Sequence, residues 1–258
     1  MGGTHSDRWG RWGRVADVVV WEADGRDDRH GAGRHGYGRP IVRRLQRSGL
    51  SVQTVRLTER APTESEMTAP VHVLSGGNTA VDADVAWLAA ARERLAWVLE
   101  FAMAGHATVT GICFGSQLIA HLLAGPSAVG PHPGGLQAGL VDVHGGGDAA
   151  GVVSSFHFHR VRRNEVMRAG GRVLLRSDRT EVQAYAFGDR VRGVQFHPEL
   201  TPNGLRTTLR TYRDVLEHHG TDPVVAETSI RDRGRDWTDR LWSAHVLEPA
   251  IATLRRAA

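Results

Sequence analysis

The chain contains no lysine; all 32 of its basic residues are arginine. That absence excludes a Gly-rich phosphate loop closing on Lys-Ser/Thr, and it excludes the Schiff-base lysine of pyridoxal phosphate chemistry. Cysteine is almost as scarce, with Cys113 alone among 258 residues. One thiol forms no intramolecular disulfide and no cysteine-based zinc site, which agrees with a reducing compartment. No apolar run reaches the length needed to span a bilayer, and Met1 to Arg14 lacks the apolar stretch of a secretory signal. A cytoplasmic chain with no membrane partner is therefore expected. Aromatic residues are few, at 6%, and no basic stripe is interleaved with them. The arginines are scattered among 28 acidic residues and leave a net charge of only +4. The sequence pI of about 10.1 thus gives no support to a nucleic-acid partner.

What is present supports a sizeable α/β unit, since 41% hydrophobic residues suffice for a proper core in a chain of this length. Val15 to Trp21 reads as a short, Val-rich buried strand. Asp24 to Gly38 follows as a charged, Gly-rich loop, and Pro40 to Arg47 as a helix with proline in its first turn. Val52 to Leu57 and Val71 to Leu74 are further strands. Asp84 to Met103 carries Leu88, Ala91, Leu95, Val98 and Ala102 three or four apart, the spacing of an amphipathic helix, and Gly105 ends it. Thr108 to Ile112 is a strand, and Gly115 to Leu123 the helix after it. From Gly125 to Gly147 the chain is rich in Gly and Pro. Strand-like runs resume at Gly151–Phe158, Arg172–Arg176, Val182–Phe187 and Val191–Phe196, with a hairpin turn at Gly188-Asp189. Leu205 to His218 is helical, and Asp236 to Arg256 is a last helix with a possible kink at Pro249.

This alternation predicts a doubly wound, mostly parallel sheet with flanking helices, antiparallel β additions and a C-terminal helical extension. In such a sheet catalytic groups gather at the carboxyl ends of the strands. The expected boundaries are a tail over residues 1–14, a domain over 15–220 and the helical extension over 221–258, packed on the domain. The tryptophans and the apolar stripe of the last helix are assigned to core packing.

The single cysteine stands in Gly111-Ile112-Cys113-Phe114-Gly115-Ser116-Gln117, where an apolar strand turns into a helix. A nucleophile on so sharp a turn needs Gly two residues to either side, because a Cβ there meets the neighbouring strand and helix. The helix N-terminus behind it favours negative charge on the sulfur. A base and its orienting partner follow in Val194-Gln195-Phe196-His197-Pro198-Glu199: the imidazole shuttles the proton, and the carboxylate fixes its tautomer. His157 and His159, two apart on an expected strand, could point the same way toward a metal, but no third ligand is evident, so neither metal nor cofactor is expected. His218-His219 reads as a solvated helix end.

Together Gly111 to Gln117, Gly193 to Glu199 and Leu74-Ser75-Gly76-Gly77 resemble the signature blocks of the class I glutamine amidotransferases. Their spacing is most similar to the stand-alone, GMP synthase-like group. The resemblance covers about residues 15 to 220. It implies a Cys113, His197, Glu199 triad, an oxyanion hole from the N–H groups of Gly77 and Phe114, and a substrate glutamine held by Gly76, Gln117 and the loop bearing Phe158. Two departures stand out. Asn78 follows the Gly-Gly pair where Pro is common. Phe156-His157-Phe158-His159-Arg160-Val161 occupies the place of the family's glutamine-binding loop, with Phe158 and His159 replacing its Ser and Asp.

The resulting expectation is a glutaminase that hydrolyses L-glutamine through a glutamyl thioester and supplies ammonia to an acceptor synthetase or transferase on a separate chain. A stand-alone hydrolase of γ-glutamyl amides or peptides is the first alternative. A non-catalytic scaffold with a retained site is the second.

Overall fold

The computed structural model describes residues 16–23, 36–145, 150–231 and 237–257. The expected tail, Val15 and most of the expected 24–38 loop lie outside these residues. In chain order the elements are β1 (Val18–Glu22), α1 (Gly38–Arg47), β2 (Val52–Arg56), α2 (Glu64–Met67), β3 (Val71–Leu74), α3 (Ala86–Met103), β4 (Thr108–Ile112) and α4 (Phe114–Ala124). Then come β5 (Val129–Pro131), β6 (Gln137–Gly145), β7 (Ala150–His157), β8 (His159–Val161), α5 (Arg163–Arg168), β9 (Arg172–Arg176), β10 (Ala184–Phe187) and β11 (Val191–Val194). The chain closes with α6 (Pro202–Thr211), α7 (Arg213–His218), α8 (Pro223–Arg231), α9 (Trp237–Trp242) and α10 (Glu248–Ala257).

Among the described residues, nine strands form one sheet in the order β2-β1-β3-β4-β11-β10-β9-β6-β7. From β2 to β11 neighbouring strands are parallel; from β11 to β7 they are antiparallel. The parallel half is covered on both faces, so its strands read as unbroken apolar runs. In β1, Val19 and Trp21 enter one core with Leu88, Leu95 and Val98 of α3 and Leu118 of α4. Val18 and Val20 enter the other with Ile41 and Leu45 of α1 and with Trp242, Val246 and Ala250 near the C-terminus. All five apolar positions singled out in α3 are buried.

The structure corrects the reading in several places. Residues 125–147, rich in Gly and Pro, hold β5 and the nine-residue β6. Strand β6 is stabilised by its partner β7, in register from Gln137↔His157 to His144↔Ala150, and pairing of that kind is not visible in local propensity. The expected helix 205–218 is two helices broken at Tyr212. It begins earlier, at Pro202, because the Thr201 hydroxyl caps it by accepting the Gly204 N–H at 3.1 Å. The last helix changes character before Pro249. It widens into a π-helical segment over Ser243–Leu247 and resumes as α10. A proline at 249 cannot donate to the carbonyl four residues back, and the segment before it absorbs the mismatch. Helix α2, which the reading missed, opens on Thr63-x-x-Glu66, a capping box in which Glu66 Oε2 accepts the Thr63 N–H at 2.8 Å. No helix among the described residues is long and apolar enough to cross a membrane.

Candidate active site

Three neighbouring strands, β3, β4 and β11, end at one edge of the sheet, and each of the three sequence blocks follows one of them. Cys113 is where β4 turns into α4, at φ 50° and ψ −105°. It is the one non-glycine residue with positive φ among the described residues, a conformation costing about 1–3 kcal/mol. The flanking glycines have the expected steric cause. A Cβ on Gly111 would lie 2.4 Å from the Gly115 carbonyl carbon, and one on Gly115 would lie 2.5 Å from Leu74 Cβ. The strained turn is held by Cys113 N–H on Val194 O (2.8 Å), Gln117 N–H on Cys113 O (3.0 Å) and Gly115 N–H on Ser75 O (3.1 Å).

His197 follows β11, which pairs with β4 as far as Val194↔Ile112. Its backbone is fastened to β7 twice: the His197 N–H donates to Ser154 O at 2.8 Å, and the Ser154 hydroxyl donates to His197 O at 2.5 Å. Its Nδ1 lies 2.7 Å from Glu199 Oε1, with both side chains buried. Burial alone pulls the imidazole below its ordinary value. The Glu199 carboxylate, hydrogen-bonded to the ring, and the Cys113 sulfur outweigh burial and hold it well above that value. The paired groups thus favour the charged ring.

The turn after β3 closes the site. A Cβ on Gly76 would lie 3.0 Å from His197 Cε1 and 3.7 Å from Cys113 Cβ, so glycine here leaves the cysteine and histidine side chains room to meet. The backbone N–H groups of Gly77 and Phe114 donate to no other described residue. A cavity of about 250 Å³ opens here, lined by Gly77, Asn78, Cys113, Gln117, Phe156, Phe158 and Tyr212 among others. No Asp, Glu or Arg is among the described residues lining it. The Cys113 Sγ lies 3.8 Å from Phe156 O. Gln117 lines the cavity, but its Nε2 is already spent on His159 O at 3.1 Å.

The two loop histidines do not share one strand: the chain leaves it at Phe158, between β7 and β8. His157 is buried, its ring edge-on to His132, and burial holds it neutral, down to about 3. Among the described residues no group of three His, Cys, Asp or Glu could hold a metal ion. His218 and His219 are exposed at the end of α7, as read, and the His219 ring lies 5.1 Å from that of Phe158. The reading missed Ser154, which anchors the base, and Tyr212, which lines the cavity from 99 residues beyond Cys113 in sequence. Neither belongs to a recognisable local pattern.

Residues 34–211 match the sequence model of the family described as glutamine amidotransferase class-I, and the chain belongs to that family. It is 32% identical over 169 residues to a glutamine-hydrolysing GMP synthase of Aeropyrum pernix, covering 64% of this chain and 31% of that protein. A second glutamine-hydrolysing GMP synthase, from Corynebacterium glutamicum, is 28% identical over 203 residues, covering 75% of this chain and 36% of that one. The chain therefore spans about a third of the length of the curated relatives it matches. Among solved structures, a glutamine amidotransferase from Thermotoga maritima superposes with a TM-score of 0.61 at 18% identity, covering 93% of this chain and 97% of that one. This likeness establishes a shared fold.

Proposed function

We propose that the chain hydrolyses the side-chain amide of L-glutamine and passes the ammonia to an acceptor. The observation that carries this reading is the buried relay from the Cys113 sulfur through His197 to Glu199, with Gly76 leaving the sulfur and the ring free to meet. The sulfur attacks the amide carbon and a C–S bond forms, while the oxygen takes the negative charge and rests on the N–H groups of Gly77 and Phe114. His197, protonated, gives its proton to the amide nitrogen; the C–N bond breaks and ammonia leaves. Water then gives a proton to His197 and attacks the remaining γ-glutamyl thioester. The C–S bond breaks, glutamate departs and the sulfur is regenerated. Glu199 orients the ring and supports its charge throughout. Gly76, Gln117 and Phe158 form part of the substrate's surroundings.

The acceptor is an ammonia-using synthetase or transferase activity outside these 258 residues. Support comes from the relatives, which are named as glutamine-hydrolysing GMP synthases and extend well beyond the matched third. The test is release of ammonia and glutamate by the purified chain, compared with Cys113→Ala. Loss of turnover in a folded variant is expected, together with labelling of the peptide spanning residues 111–117 by a diazo-ketone analogue of glutamine. Retained turnover in Cys113→Ala rules the mechanism out.

The cavity lining favours a second reading. Phe158 and His159 line the cavity where the family's loop carries Ser and Asp, so the described lining offers no carboxylate there to the α-amino group of free glutamine. A hydrolase of γ-glutamyl amides or peptides then uses the same cysteine chemistry. The ratio of kcat/KM for L-glutamine and for γ-glutamyl amides decides between the two.

A further inference from the structure

The turn that carries Gly77 is fastened unequally along its length. At its start, Ser75 is tied to the scaffold: its N–H donates to Trp21 O at 2.9 Å, its carbonyl accepts the Gly115 N–H, and its hydroxyl accepts the Ala23 N–H at 3.1 Å. Past Gly77 the chain emerges at Asn78, which is exposed, so packing does not hold it. A closed ring of hydrogen bonds engages its side chain. Asn78 Nδ2 donates to the Tyr212 hydroxyl at 3.1 Å, the Tyr37 hydroxyl donates to Asn78 Oδ1 at 2.9 Å, and the two tyrosine oxygens are 2.8 Å apart. With the Tyr37 proton on Asn78, the Tyr212 proton falls to Tyr37 and the ring closes in one sense, which lets each bond strengthen the next.

Tyr212 is the hub. It is the break between α6 and α7, its ring is buried, and it packs 4.8 Å from the ring of Phe156. Phe156 O is the carbonyl beside the Cys113 sulfur. One side chain thus touches both walls of the cavity, the glycine turn through its hydroxyl and the Phe156 loop through its ring.

We propose that Tyr212 and Tyr37 are positioning residues for the reaction, acting through Asn78 to hold the Gly77 N–H where the oxyanion forms. This rests on the reading above that Gly77 is an oxyanion donor. Losing such a donor outright costs about 10²–10³ in kcat; loosening its turn is a displacement, for which about tenfold is expected. Tyr212→Phe keeps the ring on Phe156 and deletes only the hydroxyl. It should lower kcat for glutamine about tenfold with little change in KM. It should slow labelling by the diazo-ketone analogue of glutamine, whose ketone oxygen takes the amide oxygen's place, by a similar factor. Alkylation of Cys113 by iodoacetamide, which needs no oxyanion donor, should keep its rate and pH profile.

Tyr37→Phe and Asn78→Ala, the latter at an exposed position, should each reproduce the effect. Combining either with Tyr212→Phe should add almost nothing, because all three cut the same ring. Unchanged kcat and unchanged diazo-ketone labelling in Tyr212→Phe and Asn78→Ala overturn the proposal. So does a parallel fall in iodoacetamide alkylation, which signals general damage to the site. If the wild-type chain labels with the diazo-ketone at Cys113 but releases no ammonia, the glutaminase reading has failed, and the labelling ratios still decide the role of Tyr212. If the diazo-ketone labels Cys113 no faster than a simple alkylating agent does, both readings fall.

Discussion

At the scale of single residues, the site depends on one strained cysteine and one histidine whose charge is supported from both sides. His197 stands above its ordinary value because Glu199 and the Cys113 sulfur outweigh its burial. Removing the carboxylate's charge takes away part of what favours the protonated ring, so in Glu199→Gln the imidazole must titrate lower. The shift is read from the pH dependence of the His197 ring signals in NMR. The same substitution should leave more activity than His197→Ala, which removes the proton shuttle itself and should cost about 10²–10⁴ in kcat. Equal losses in kcat, or an unmoved His197 titration, mean that another acid orients the ring. The backbone of His197 is clamped to Ser154 on β7, so neither substitution should unseat it.

At the scale of elements, the decisive feature is how closely α4 crosses β3 and β4. Glycine is required at 111 and 115 by contact with backbone, not by their own dihedral angles, since neither has positive φ. A methyl group on Gly115 meets the Leu74 carbonyl oxygen at 2.7 Å as well as its Cβ, and neither a strand backbone nor a Cβ can swing aside. Gly115→Ala should lower stability by about 1–3 kcal/mol, the usual cost of overpacking, measured as a shift in the urea midpoint. Gly151→Ala is the control: it lies in β7, has no positive φ, and a Cβ there meets nothing within 4 Å. It should be neutral or slightly stabilising. Equal effects of the two mean that α4 can slide along the sheet, and the steric account of the elbow is then wrong.

At the scale of the whole molecule, stability should fall on mild acidification. His72 and His245 are held down to about 4 and His157 to about 3, all chiefly by burial, against an unfolded value near 6.5. As pH drops below 6.5 the unfolded chain binds protons that the folded chain refuses, so the balance moves toward unfolding until the folded groups also titrate, near 4 and 3. Each such histidine contributes a slope of up to about 1.4 kcal/mol per pH unit. His197 has the opposite sign: its raised value adds stability that is complete below 6.5 and is lost as pH rises through the folded value. Glu66, held at about 2 first by its hydrogen bonds with Arg60, acts in a lower window, its contribution fading as pH falls from 4.5 toward 2. The urea midpoint should therefore decline between pH 6.5 and 4. His72→Gln, which can still accept the Trp21 indole N–H, should flatten about a third of that decline. A midpoint that stays level or rises over this range contradicts the assignment.

The sequence by itself determined what depends on neighbours along the chain. Short apolar runs marked β1 to β4, a period-3.6 pattern marked α3, and the Gly188-Asp189 turn marked the β10–β11 hairpin. The glycines around Cys113 marked an elbow by their spacing; the clash that Gly111 avoids is set within those seven residues, whereas the one Gly115 avoids is with Leu74 of β3. Cys113, His197, Glu199 and Gly77 were legible as types of group, each in its own local setting. Tertiary structure alone decided that they meet, through the strand order β3-β4-β11, which joins segments far apart in sequence. It also decided that residues 137–145, within the Gly- and Pro-rich stretch 125–147, become a strand once β7 pairs with them, and that Tyr37, Asn78 and Tyr212 close one hydrogen-bond ring across 175 residues. Pairing and ring closure of this kind are favoured only after loop entropy has been spent and both partners are already in place. No local pattern encodes them, because the free energy that selects them belongs to the assembled sheet and not to either segment alone.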